Sequence, residues 1–336
     1  MPVFNHKDLV IKMWDSILQN DFQDWELLAI DDGSSEQDFQ YLSMYAERDP
    51  RICYIPRTQV PKGAQTCRNM GLDMAHGEFI IFFDSDDWVT PFCLGIRVKA
   101  LQTRKHLDFM VFPSGVMLND HFSVLNQRDV YGFPINRDDY DAFARRILPF
   151  IVWNNIYRTD ALRRSGVRWD TNLLSLQDAD FNTQTLLAGL RYEYSPSMPD
   201  IGYRIDANNS SISKKMLSEE HYQSIIYAIE KFYQMYQGRL GHCYDFPLYR
   251  GVLYIYNLVM TDVFSPTLAD AMVDVVCKYS PFYGWVFGAQ VKLTKLLLHF
   301  LPSKRARQVP MVCHLVDYVL RMRKKQKSVK KIMTKE

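Results

Sequence analysis

Three carboxylates, Asp84, Asp86 and Asp87, stand within four residues, directly behind the five apolar residues Phe79 to Phe83. Carboxylates this close repel one another unless a cation or positive side chains neutralise them. A hard divalent cation such as magnesium or manganese, bridging to a phosphate, resolves that repulsion; an acidic turn open to water is the plainer alternative. A second pair, Asp31 and Asp32, follows the apolar stretch 25–30 and leads into Gly33, Ser34 and Ser35. Asp31 either joins the chemistry or braces this turn through local hydrogen bonds. A third pair, Asp178 and Asp180 in Gln177-Asp178-Ala179-Asp180-Phe181, opens a predicted helix that runs to about Ala188. Two carboxylates in a first turn face the positive end of the helix dipole.

Chemistry at these positions needs elements that bring them to one place. A short apolar run bounded by polar residues suits a strand buried on both faces of a parallel sheet. Such sheets bind ligands in the crevice beyond the carboxyl ends of their strands. Strands are expected at 25–30, 52–55, 79–83 and 109–112, and Met1 to Phe4 reads as the last few residues of another. Helices are expected between them. Asn5 is placed to cap the first, with Asp8 three residues on, and Leu9, Val10, Met13, Trp14, Ile17 and Leu18 give it one apolar face. Ser34 or Ser35 caps the second, around 36–47. A third covers about 66–75, and Thr90 with Pro91 at the first helical position starts a fourth. The first 112 residues thus alternate strand and helix, which implies a parallel sheet with helices on both faces. Two acidic strand ends then converge on one crevice.

From 113 to 150 the pattern is mixed. The stretch 151–158 is apolar and aromatic, a short helix from Thr159 or Asp160 ends near Gly166, and 192–194 and 201–205 are strand-like. From about 214 the character turns helical, with segments at 221–236, 249–263, 283–301 and 310–320 and a basic tail at 321–335.

At 336 residues, 47% apolar and 23% charged, the chain has the composition of a soluble globular protein. Its net charge of +2 hides an asymmetry. Residues 304–336 carry eleven Lys/Arg against Asp317 and Glu336, a net +9, which leaves −7 on the rest. A basic end on an acidic body points to an anionic surface touched by the tail alone. Because the tail follows two amphipathic apolar segments, the expected surface is a membrane, contacted peripherally through 283–336. No recognised nucleic-acid module accompanies the charge, so nucleic acid is not expected. The six cysteines form no C-x-x-C pair, as suits free thiols in a reducing cytoplasm. No leader is read at Met1-Pro2-Val3-Phe4-Asn5 and no apolar run spans a bilayer. The expected location is therefore cytoplasmic, on the inner face of the cell membrane.

The ordered motifs resemble those of the family-two inverting glycosyltransferases of GT-A fold, of the type that builds bacterial surface polysaccharides. Pro2-Val3-Phe4-Asn5 resembles an opening P-V-Y-N, and the stretch 25–34 (WELLAIDDGS) resembles the nucleotide strand with its D-D-G-S turn. The stretch 62–77 resembles G-x-x-x-A-R-N-x-G-x-x-x-A-x-G, and Asp84-Ser85-Asp86-Asp87-Trp88 matches the D-S-D-D-W form of the D-x-D motif. The stretch 153–158 resembles W-N-K-L-Y-R, 177–181 resembles E-D-x-x-F, and Tyr203-Arg204 with Ser211-Ile212-Ser213 resembles a closing Y-R and S-I-S. The resemblance covers about residues 1–213. It implies a GT-A catalytic domain there, with a nucleotide half at 1–112 and an acceptor half at 113–213, followed by a helical C-terminal region at 214–336.

The resemblance also implies the roles. A nucleotide-sugar, usually a UDP-sugar, donates its sugar to a glycan or lipid-linked acceptor with inversion. Pro2, Val3, Asp32, Arg68, Asp84 and Ser85 lie toward the nucleotide. Asp86, with Asp84, holds the divalent metal, manganese or magnesium. Asp178 is placed as the general base, and Asp180, two residues on, is able to share or take that role. The chemistry independently needs these types. A divalent ion stabilises the charge growing on the leaving diphosphate, and a carboxylate removes the proton of the attacking hydroxyl. Two departures stand out. Gln177 replaces the acidic residue that usually precedes the base, and Asn155 replaces a lysine, with consequences expected at the acceptor or phosphate. These departures and the short first strand keep open a different class, a non-catalytic protein that holds a nucleotide-sugar or a partner. A nucleotidyltransferase would share the sheet and carboxylates, but no glycine-rich, lysine-bearing phosphate loop follows the first strand.

Overall fold

Local periodicity becomes short strands and amphipathic helices in a computed structural model that describes residues 1–124, 131–135, 137–204, 218–262 and 266–300. β1 (Pro2–Val3) leads through α1 (Lys7–Leu18) to β2 (Leu27–Asp31), and α2 (Glu36–Ala46) leads to β3 (Ile52–Pro56). The three strands form one wholly parallel sheet in the order β1-β2-β3, with Pro2 opposite Ile30 and Val3 opposite Asp31. Ser35 caps α2 as its type predicts, accepting the Asp38 N–H at 3.2 Å. Asn5 does not cap α1. Its side chain instead accepts the Ser35 N–H at 2.8 Å, and His6 takes the cap position in the left-handed region. The tie between two loops has displaced a local cap.

After α3 (Ala64–Met74) come β4 (Phe79–Ile80), β5 (Trp88–Val89), α4 (Cys93–Thr103), β6 (Phe109–Val111), β7 (Ser114–Leu118) and β8 (His121–Ser123). Then follow α5 (Asp139–Ala144), β9 (Asn155–Arg158), α6 (Thr159–Ser165), α7 (Gln177–Leu187), β10 (Tyr192–Tyr194) and β11 (Ile201–Arg204). These strands build two mixed sheets, β10-β6-β9-β4 and β5-β11-β7-β8. The apolar run 79–83 differs from its expectation as a doubly buried parallel strand. Only Phe79 and Ile80 pair, antiparallel to β9, and Phe79 to Ile81 are half-buried. Phe82 and Phe83 enter two different cores, as alternation along an extended chain requires. Thr90 and Pro91 also stop short of α4, whose cap is Phe92, because the Thr90 N–H is held by the Asp200 carbonyl at 2.9 Å.

A buried ion pair fastens α4 to the start of β11. Arg97 of α4 donates to both oxygens of Asp200, Nε at 2.7 Å and Nη2 at 2.6 Å, and through Nη1 to the Trp153 carbonyl at 2.8 Å. Both residues are fully buried. Asn155 is fully buried too, donating to the Tyr157 hydroxyl at 2.7 Å and to Asn182 at 3.1 Å. Its side-chain amide thus ties β9 to α7 at the position where the resemblance has a lysine.

The C-terminal helices α8 (Glu219–Leu240), α9 (Asp245–Asp262), α10 (Pro266–Tyr279) and α11 (Pro281–Phe300) share the largest core with the sheet β10-β6-β9-β4. Phe109, Tyr157 and Phe181 join Phe232, Tyr236, Met272 and Phe287 there. No helix among the described residues is long and apolar enough to cross a membrane. The Ser211-Ile212-Ser213 motif, the 310–320 segment and the basic tail lie outside the described residues.

Candidate active site

The carboxyl ends of β1 and β2 carry the first acidic turn. Asp31 Oδ2 accepts the N–H groups of Gly33 at 2.9 Å and Ser34 at 3.1 Å, and Oδ1 accepts the Tyr54 hydroxyl at 2.8 Å. Asp31 thus braces a turn that Gly33 completes at φ +88°. Asp32 Oδ1 accepts Arg57 Nε at 2.7 Å and the Gly63 N–H at 3.0 Å. The Val3 carbonyl accepts the Asp32 N–H at 2.7 Å, so Pro2 and Val3 end beside this turn. Arg57 and Tyr54 carried no motif in the sequence; a position behind an acidic strand end on the neighbouring strand is the only local signal for them.

Arg68 joins the second acidic turn to the third. It is 5% exposed, donates through Nη2 to Asp84 Oδ1 and through Nη1 to Gln177 Oε1 at 3.2 Å, and lays its guanidinium over the Trp169 ring at 4.4 Å. Gln177 therefore works as an acceptor for Arg68, a task that does not need a charge. Ser85 is half-buried beside Asp84. Burial by surrounding protein and then the charge of Asp84 raise the Asp86 carboxyl to about 6, although its side chain still reaches solvent. Burial, then Asp86 and Asp84, push Asp87 well above the ordinary carboxylate range, and its Oδ2 is buried without a hydrogen-bond partner. The Arg204 N–H donates to Asp87 Oδ1 at 3.0 Å, and its Nε donates to the Asp86 carbonyl at 2.8 Å. Arg204 Nη1 reaches Asp120 at 2.6 Å. This arginine sets the shape of the acidic turn from 118 residues away.

The third pair separates. Asp178 is half-buried, accepts the Val152 N–H at 3.4 Å, and is raised to about 6 by burial, with Arg68 lowering it and Asp84 raising it. It senses the same guanidinium and carboxylate that bound the second turn. Asp180 is 1% exposed and turns toward α8, where Lys231 Nζ lies 2.8 Å from Oδ1 and Gln184 Nε2 donates to Oδ2 at 2.7 Å. Lys231 also donates to Asp170 at 2.6 Å.

Among the described residues no cluster of three or more His, Cys, Asp or Glu is arranged to hold a metal by itself. The donors at the acidic turn nevertheless suit magnesium or manganese, which take one or two carboxylates and complete their shell with phosphates and water. The elevation of Asp86 by burial and by the charge of Asp84, and the unpartnered oxygen of Asp87, are what such a cation would relieve.

A parallel sheet β1-β2-β3 that ends in an acidic turn, two mixed sheets and the helices around them make a GT-A-type α/β fold. Residues 1–166 match the model of glycosyl transferase family 2. WcaA of Escherichia coli K12, a glycosyl transferase named for colanic acid biosynthesis, is 32% identical over 186 residues, 54% of this chain and 62% of its own. The chain thus spans under two thirds of that relative. The glycosyltransferase EpsJ of Bacillus subtilis 168 is 26% identical over 251 residues, 72% of this chain and 71% of its own. Among solved structures, S. aureus TarS 1–349 in complex with UDP-GlcNAc superposes with a TM-score of 0.67 at 16% identity, covering 94% of this chain and 90% of that one.

Proposed function

We propose that the chain is an inverting glycosyltransferase that moves a sugar from a UDP-sugar to a glycan or lipid-linked acceptor. The observation that carries this reading is Arg68, whose two amino groups tie Asp84 of the second acidic turn to α7, the helix that presents Asp178. In this reading the donor diphosphate lies against Asp84, Ser85 and Asp86, and the nucleoside lies toward Pro2, Val3 and Asp32. Asp86, with Asp84, would hold a divalent manganese or magnesium ion, which supplies charge stabilisation to the leaving diphosphate. Asp178 accepts the proton of the attacking acceptor hydroxyl, and its elevated carboxyl suits a base that works near neutral pH. Asp180, neutralised by Lys231, holds α7 against α8 rather than meeting the acceptor.

The relatives' names support the substrate classes. One, from Campylobacter jejuni, is a GalNAc(5)-diNAcBac-PP-undecaprenol β-1,3-glucosyltransferase, 37% identical over 87 residues, and TarS was crystallised with UDP-GlcNAc. The division proposed is a catalytic domain at 1–213, with nucleotide and acceptor halves, and a helical region at 214–336 that contacts the inner face of an anionic membrane. Calorimetric titration of UDP, GDP, TDP and CDP, with and without manganese, tests the donor site. The expected result is manganese-dependent binding of UDP that Asp86→Ala abolishes. Equal binding by the variant, or no binding by folded wild type, would overturn the assignment.

A further inference from the structure

Residues 168–180 form a strap with a helix on either side of it. Along one side runs α3. Asn69 accepts the Trp169 N–H at 3.0 Å and donates to the Trp169 carbonyl at 2.8 Å. Gln65 donates to the Leu173 carbonyl, Arg68 donates to Gln177 at 3.2 Å, and Asp73 accepts Arg168 Nη2 at 2.7 Å. Gln65, Arg68, Asn69 and Asp73 recur at helical spacing, so one face of α3 supplies all four contacts.

Along the other side runs α8. Ser224 Oγ accepts the Leu174 N–H at 2.8 Å, and the Tyr227 hydroxyl donates to Asp170 at 3.0 Å. Lys231 Nζ donates to Asp170 at 2.6 Å and lies 2.8 Å from Asp180. Ser224, Tyr227 and Lys231 again share one helical face. The two helices thus hold alternate points of the strap: α3 takes Trp169, Leu173 and Gln177, and α8 takes Asp170, Leu174 and Asp180. Between these anchors Leu176 stands at the cap of α7, with φ +64° and no side-chain hydrogen bond to help it. A bulky residue adopts that left-handed backbone only where its surroundings impose it. Asp178 lies two residues further on, in the first turn of α7.

On the reading of Asp178 as the base, on which this inference rests, we propose that Ser224 and Lys231 are positioning residues for the reaction. From α8 they hold the strap, and with it the first turn of α7, so that the Asp178 carboxyl stays at the crevice it shares with Arg68 and Asp84. Neither residue touches that carboxylate. Anchors on the α3 side alone would define an axis about which the strap can turn; the anchors on α8 stop that rotation. The C-terminal helices therefore serve the reaction as well as the core. The groups that face Asp178 are Arg68 of α3, Asp84 of the second acidic turn and the Val152 N–H. On β9 the Tyr157 hydroxyl, raised by burial first and by the Asp178 charge last, stays neutral beside it.

The test reads the Asp178 carboxyl itself, by carbon NMR of the full 336-residue chain labelled at aspartate Cγ and titrated between about pH 3 and 8. Loss of one resonance in Asp178→Asn identifies it. In wild type its midpoint should lie near 6, because burial outweighs Arg68. Ser224→Ala removes the acceptor of the Leu174 N–H, and Lys231→Met removes the tie to Asp170 and Asp180. Each should lower the midpoint by at least about half a pH unit, as the carboxyl reaches water and returns toward its ordinary value near 4. Removing a cation would by itself raise a nearby carboxyl, so a fall in Lys231→Met reports position and not charge. Lys278→Met breaks the 2.5 Å pair with Glu230 elsewhere on α8 and should leave the midpoint where it is. An ordinary wild-type midpoint near 4, or an unmoved midpoint in folded Ser224→Ala, would overturn the proposal. So would an equal fall in Lys278→Met, which would mean general loosening of α8. The readout involves no substrate: should Asp178→Asn retain full transfer, the base assignment fails while the anchoring result stands.

Discussion

Asp178 carries a cost in stability that the proposed reaction would use. Its carboxyl is raised to about 6 because burial disfavours the charge more than Arg68 favours it. A folded-state value above the unfolded one means that the native state holds the proton more tightly. Stability from this group is therefore full below about pH 4 and falls as pH rises through 6. Asp178→Asn should be more stable than wild type at pH 7.5, by up to about 3 kcal/mol before discounting for solvent at its half-open face, and equal to it at pH 4. The same substitution should lower kcat at least about 100-fold. Wild-type activity should rise with pH through about 6, where the base loses its proton. Denaturation at the two pH values and a pH–rate profile check the pair of effects, and a variant that is both less stable and fully active would sink the assignment. Asp180, two residues along, carries no such prediction for catalysis, because Lys231 already neutralises it.

At the scale of elements, charged pairs fasten what short strands leave loose. Several strands are only two or three residues long, so their pairing alone fixes little. Arg97 and Asp200 lock α4 to the start of β11 with no exposure at either residue. Asp200→Asn leaves a buried guanidinium without its counter-charge and should cost about 3–5 kcal/mol in urea denaturation, against a near-neutral outcome if the pair were peripheral. Lys231 fastens α8 to α7 and to Asp170. Against the burial that would raise it, the Lys231 ammonium holds Asp170 below its ordinary value, while burial keeps Asp180 above its own. Lys231→Met should destabilise the fold at pH 7, and the loss should shrink on acidification as Asp180 takes a proton. A loss that is constant between pH 4 and 7 would show that packing, not charge, is what the lysine supplies. These fasteners mark the limit of what the chain discloses in one dimension. The strand–helix alternation up to β3, the cap at Ser35 and the acidic turn after β2 were legible because each rests on neighbours a few residues apart. Lys231 and Arg97 act on groups 51 and 103 residues away, and no local pattern distinguishes them from surface charge; Arg204 was marked by the Y-R resemblance, but not its hold on a turn 118 residues away. Asn5 and Thr90 were misread for the same reason, since a distant backbone group outbid the helix end beside them.

At the scale of the whole molecule, the acidic body and the basic end of the sequence meet at α11. Phe282, Trp285, Leu293, Leu296 and Phe300 are 50–72% exposed and recur at intervals of three, eight, three and four residues, which places them along one helical stripe. Gly284, Phe287, Val291 and Thr294 on the opposite side are buried. Lys292 borders the exposed stripe, and the sequence beyond it adds the net +9 of residues 304–336. An apolar stripe flanked by cationic residues is the composition of an interfacial helix, and each basic residue near an anionic leaflet adds about 1 kcal/mol. The chain should therefore sediment with vesicles of phosphatidylglycerol and not with phosphatidylcholine alone. Raising the salt to about 1 M, where the screening length is about 3 Å, should release most of it. Truncation after Leu301 should abolish the salt-sensitive part, and Trp285→Ala with Phe300→Ala should weaken what remains. Retention of full binding by the truncated double variant would move the contact off this end of the molecule, whereas its loss would put α11 at the membrane and the acidic turns of the sheet on the body held beneath it.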